Sequence, residues 1–179
     1  ALLGAVLAVL LVWHISAGSV YFAPGESLSA LLSPPDGGII WGIRLPRVLA
    51  AAILGGALSV SGFLLQTFFA NPIAGPFVLG ISSGAKLTVS LVMVGLLSRG
   101  IVIRSGALIA GAFVGSMVSM GFILLLSRRV RQMSMLVVSG VMIGYICSAV
   151  TDFVVTFADD SNIVNLRNWS LGSFSGTSW

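Results

Sequence analysis

The chain has 179 residues, of which 57% are hydrophobic and 8% charged, with a formal net charge of +4. A soluble domain carries about 25% charged residues, so this chain cannot cover a water-facing surface and its solvent is lipid. The positive excess is small and scattered, which argues against a nucleic-acid-binding face, and the single cysteine, Cys147, excludes an intramolecular disulfide.

Five apolar spans follow in order, at roughly residues 2–20, 45–69, 77–97, 101–126 and 135–157. Each is close to the ~20 residues a helix needs to cross about 30 Å of hydrocarbon. The runs are continuous rather than short and alternating, so helices are expected and a β-barrel is not. The predicted fold is all-α and transmembrane, a bundle of about five spanning helices forming one integral membrane domain over residues 1–179. No cleavable leader is evident, because no basic stretch precedes the first span and no small-residue cleavage site follows it. The chain starts inside a span without Met and stops at Trp179, so a fragment is expected.

The linkers carry ordinary punctuation. Residues 23–38, with three prolines and the apolar patch Leu28 to Leu32, predict a loop with one or two interfacial helical turns. Asn71-Pro72 and Gly75-Pro76 break the chain after the second span, and Ser98-Arg99-Gly100 predicts a tight turn. The stretch after Asp159-Asp160 is amphipathic and predicts an interfacial segment rather than a sixth span. Charge alone leaves the orientation open. Arg128, Arg129 and Arg131 are dense in one loop, whereas Arg44, Arg47, Arg99, Arg104 and Arg167 gather on the opposite side.

Glycines recur inside the spans. Gly80/Gly84, Gly111/Gly115 and Gly140/Gly144 are spaced by four, which places each pair on one helix face and admits a neighbouring backbone. Gly55, Gly56, Ser59 and Gly62 are expected to act similarly in the second span. The ladder is compatible with plain helix packing and with a lumen or sliding contact.

Three constellations bear on chemistry. GISSG, residues 80–84, fits a nucleophile-elbow pattern, but that motif needs a strand–turn–helix and a histidine. If the first and third spans start on the same side, His14 lies roughly 18–20 Å deep and Ser82 roughly 8 Å deep. A hydrolase is therefore not expected, and His14 reads as a packed or interface histidine. Lys86 and Asp152 are charges inside spans, where charge is costly and marks function by default. Counted along their helices they lie roughly 14 and 26 Å deep, an offset of about 12 Å that argues against a direct bond. Arg44 and Arg47 are three apart and flank Pro46, which suits a first helical turn. They are expected to project together at the membrane surface, either toward lipid headgroups or as a docking patch for carboxylates.

Residues 44–85 closely resemble the FecCD-type permeases, the membrane subunits of bacterial ABC importers for iron-siderophores, haem and cobalamin. The matching pieces are R-L-P-R, G-x-x-L-x-x-S-G-x-x-L-Q ending at Gln66, and N-P-x-A-x-P-x-x-L-G-I-S-S-G-A. Ala158-Asp159-Asp160, Trp169, Leu171-Gly172 and Trp179 extend the match. The resemblance implies the N-terminal half of a permease of about ten helices in a bacterial inner membrane. Two such permeases, as homo- or heterodimer, pair around a pathway, with two ATP-binding subunits inside and a substrate-binding protein outside. The family's coupling helices lie in the other half, so this half alone is not expected to transport. The start of the first span is then inside, the Arg128 loop is inside, and Arg44 and Arg47 face acidic residues of the binding protein. Ser59, Gly62, Gln66, Gly80, Ser82, Ser83, Gly84, Gly140 and Gly144 form or flank the pathway, moved by alternating access. No catalytic residue, metal or cofactor is implied. Gly75 departs from the acidic or small polar residues frequent there, and Lys86 stands where a small or apolar residue is usual. The alternative is an ion-gradient-driven secondary transporter in which Lys86 and Asp152 carry the coupling charge.

Overall fold

The computed structural model describes residues 2–18, 20–32, 38–97, 100–101, 104–130 and 132–179. Arg99 and Arg131, with the loop residues 33–37 and Ser98, lie outside them. Among the described residues every regular element is helical: α1 (Leu2–Ser16), α2 (Pro24–Leu32), a π-helical turn (Ile40–Arg44), α3 (Leu45–Phe68), α4 (Ile81–Leu97), α5 (Ser105–Ser127), α6 (Met133–Thr156) and α7 (Asp160–Leu171). Continuous helix over Ile40–Phe68, Ser105–Ser127 and Met133–Thr156 is long and apolar enough to cross a membrane; Leu2–Ser16 and Ile81–Leu96 are apolar but shorter. The expected all-α transmembrane bundle is what the chain forms. Large apolar side chains such as Ile53, Phe63, Phe113, Phe122, Ile146 and Phe153 remain exposed, as lipid rather than water permits.

The chain divides into two compact units, residues 1–58 with 173–179, and residues 59–172. In the first, Ile15, Ile40 and Val48 form a small core against Leu11, Phe22, Ala30 and Leu31. The interfacial turn expected near Leu28 is the nine-residue α2, longer than foreseen. Pro24 opens it, where a missing N–H costs nothing, and Glu26 accepts from Ala23 N at 3.0 Å. Ser27 is buried, its hydroxyl 3.0 Å from that of Ser16.

The second unit is organised around α4, which packs on α5 and α6. The glycine ladder makes this possible. A Cβ on Gly84 would meet Gly115 O at 2.8 Å, and one on Gly140 would meet Leu79 Cα at 2.8 Å. Gly80 is constrained twice. Its φ is +72°, and a Cβ there would strike Gly140 O at 2.7 Å and Gly144 N at 2.8 Å. Close packing is thus shown for Gly80, Gly84, Gly115 and Gly140. At Gly55, Gly56 and Gly62 a Cβ would meet nothing within 4 Å among the described residues, so no such contact forms there within this chain.

The third span starts later than expected, at Ile81 rather than residue 77. Residues 69–80 instead form a chain of turns whose Phe69, Ala74 and Leu79 are buried with Ile123, Leu136 and Val137. α3 ends in a Schellman motif, with Asn71 N donating to Gln66 O at 3.1 Å and Ala70 N to Thr67 O at 3.2 Å. Ala70 occupies the left-handed position at φ 46°.

Candidate functional site

Gly80 lies against Gly140 and Gly144, seven to eleven residues into α6. α4 therefore begins roughly 10–16 Å along its neighbour. Lys86, six residues beyond Gly80, stands only about 3–9 Å below Asp152 by the same rise. The 12 Å offset read from the sequence assumed that both helices start level, and the buried turns at residues 69–80 remove that assumption. Lys86 and Asp152 line one cleft of ≈ 270 Å³ together with Thr151 and, from α7, Arg167 and Ser170. No ion pair joins them among the described residues.

A larger cleft of ≈ 530 Å³ adjoins it, sharing Lys86 and Ser170 and adding Ser82, Ser83, Ser116, Ser148 and Trp169. A third, of ≈ 260 Å³, shares Ser83 and Ser148 and reaches Gly144 and Tyr145. Of the hydroxyls, Ser116 donates to Ala112 O, Thr151 to Cys147 O and Ser170 to Leu166 O, each at 2.8 Å. Ser82 and Ser83 sit in the first turn of α4, preceded by turns rather than a helix or strand. The strand required by a nucleophile elbow is therefore missing here. His14, read as packed or at an interface, is exposed on α1 among the described residues.

Gln66, expected at the pathway, is exposed; its amide donates to Pro72 O at 3.0 Å and ties down the turn after α3.

In the other unit the two arginines separate. Arg44 closes the π-helical turn, is 8% exposed, and folds back on the end of α1. Its guanidinium donates to Ile15 O at 2.6 Å, to Ser16 O at 3.0 Å and to Val20 O, and lies 5.1 Å from the Phe22 ring centroid. Ile15 O and Ser16 O are among the last carbonyls of α1, which lack an intrahelical donor, and Ser16 O also accepts from Phe22 N at 3.2 Å; Arg44 thus acts as a cationic cap there. The expectation that both guanidiniums project together is corrected: the Arg44 side chain folds back onto the carbonyls at the end of α1. Arg47 is half-buried, donates to Ser175 O at 2.6 Å, and keeps a buried Nε with no partner among the described residues. Trp179 secures the same tail, donating to Trp41 O at 2.7 Å, with the two rings 6.2 Å apart. The sequence pairing of Arg44 and Arg47 signals a helix start; nothing in it signals the carbonyls of residues 15–20 as partners.

Long apolar helices, glycine-mediated contacts and an exposed apolar surface define a multi-pass helical membrane protein by class. The chain belongs to the FecCD transport family, whose pattern it matches over residues 6–179. It is 39% identical over 174 residues to the vitamin B12 import system permease protein BtuC of Klebsiella pneumoniae, covering 97% of this chain and 50% of that protein. The corresponding permease of Escherichia coli is 34% identical over 177 residues, covering 99% and 52%. The chain thus spans about half the length of these relatives. In fold it is similar to an ABC transporter classed as of metal-chelate type, solved in an inward-facing conformation. There the TM-score is 0.77 at 23% identity, covering 99% of this chain and 54% of that one.

Proposed function

We propose that this chain is the N-terminal part of one permease domain in a binding-protein-dependent ABC importer of a bacterial inner membrane. The observation that carries the reading is the family match over residues 6–179, together with half-length similarity to vitamin B12 permeases. The solute is a metal chelate, for which an iron(III)-siderophore and cobalamin are the two candidates; the relatives' names favour cobalamin. The permease supplies no catalytic group. Two ATP-binding subunits on the cytoplasmic side drive alternating access of two permease subunits, and an external binding protein delivers the solute. The close contacts at Gly80, Gly84, Gly140 and Gly144 give helix surfaces that can shift as rigid bodies, with Ser59, Gly62, Ser82 and Ser83 beside the pathway.

The binding protein docks at the end that carries Arg47. Arg44 contributes by holding the end of α1 rather than by direct contact. Arg47 supports this role because its guanidinium is only half-buried and its bond to Ser175 O lies in an exposed setting. A carboxylate from an acidic lobe can accept from the part of the guanidinium left accessible. Arg47→Glu in the complete permease is expected to lower binding-protein-dependent uptake on the order of 10-fold or more, with unchanged membrane abundance. Uptake at the unsubstituted level contradicts docking through Arg47.

A further inference from the structure

The adjoining clefts along α4, α6 and α7 hold charge and hydroxyls that packing does not use. Lys86 and Arg167 face a single carboxylate, that of Asp152, in the cleft wall, so the lining carries one excess positive charge. Asp159 and Asp160, near the start of α7, are outside that lining. Lys86 is half-buried within a helix of the bundle and has no carboxylate within ion-pair distance among the described residues. A cation in that setting is costly unless something polar answers it.

The hydroxyls divide in the same way. Ser116, Thr151 and Ser170 each bond a carbonyl of their own helix. Ser82, Ser83 and Ser148 have no hydrogen-bond partner among the described residues, yet all line the ≈ 530 Å³ cleft beside Lys86. Ser82 and Ser83 stand in the first turn of α4, where no preceding turn of helix offers a carbonyl. The volume lies in the ~300–1,000 Å³ range of small-molecule sites.

We propose that this cleft binds an anionic group, a carboxylate or similar oxyanion, with Lys86 as its counter-cation and the hydroxyls of Ser82, Ser83 and Ser148 as donors. That the anion belongs to a transported solute rests on the permease reading; the site itself stands on the cleft, the excess charge and the unused hydroxyls. An all-apolar lining would exclude such a group, and a cation would meet the like charge of Lys86, the one charged side chain of this lining.

Trp169 lines the same cleft and supplies the readout. The experiment titrates citrate into the complete permease in maltoside micelles free of phospholipid, following the change in emission lost in the Trp169→Phe blank. Citrate is expected to change that emission saturably. Lys86→Met is expected to weaken citrate binding on the order of 10–100-fold, and Ser82→Ala with Ser148→Ala to weaken it less. Lys86→Arg, which keeps the charge, controls for folding and is expected to remain within about threefold. Added phosphatidylglycerol is expected not to displace citrate; displacement assigns the site to lipid headgroups and overturns the solute. Citrate binding that is absent, or unchanged in Lys86→Met, overturns the site. A permease that transports while Lys86→Met binds citrate normally sinks the site alone. One that binds citrate as described but shows no ATP-driven uptake sinks the permease reading alone.

Discussion

Gly80→Ala is expected to destabilise the bundle by roughly 2–5 kcal/mol. Two independent effects converge. The left-handed φ of +72° is strained for any residue with a Cβ. The added methyl also lands 2.7 Å from Gly140 O and 2.8 Å from Gly144 N, which are backbone atoms of α6 that no rotamer change can move. Either α4 separates from α6 or the turn before it rearranges, and both loosen the cluster of Leu79, Ile123 and Leu136. Thermal unfolding in detergent measures the effect. Gly56→Ala is the matched control, because a Cβ there meets nothing within 4 Å, and its expected change is within about 0.5 kcal/mol. Equal stabilities for the two variants contradict the close contact at Gly80.

Arg44→Met is expected to cost roughly 2–5 kcal/mol, because it strips a charge-assisted donor from carbonyls at the end of α1. Arg44→Lys is expected to recover only part, since an ammonium lacks the planar fork that reaches several carbonyls together. Gly18 belongs to the same device: a Cβ there would lie 2.6 Å from Arg44 Nη2. Gly18→Ala therefore displaces the guanidinium, and combining it with Arg44→Met is expected to cost less than the sum of the two. Faster amide exchange over residues 13–17 in Arg44→Met is the local signature. Exchange unchanged there removes Arg44 as a cap.

Composition and run length carried the helical membrane class, and spacing carried the contacts of Gly80, Gly84 and Gly140, because both depend on local periodicity. The resemblance centred on residues 44–85 carried the family. Depth did not follow from the sequence. The apolar character of residues 69–80 reads as the end of one span and the start of another, whereas turns bury Phe69, Ala74 and Leu79 and start α4 part-way along α6. That one displacement moves Lys86 toward the level of Asp152. Arg44 was misplaced because its partners, the carbonyls of Ile15 and Ser16, lie far back in the chain and spacing does not reveal them. The amide of Gln66 closes a turn, a local contact that its motif does not announce.

Uptake of a radiolabelled metal chelate into proteoliposomes tests the central claim most directly. They would hold the complete permease, its ATP-binding subunits and its binding protein. Uptake that requires internal ATP, requires the binding protein and persists with an uncoupler is the expected result. Uptake that proceeds without ATP and collapses with the uncoupler contradicts it and makes Lys86 and Asp152 the coupling charges of a secondary transporter.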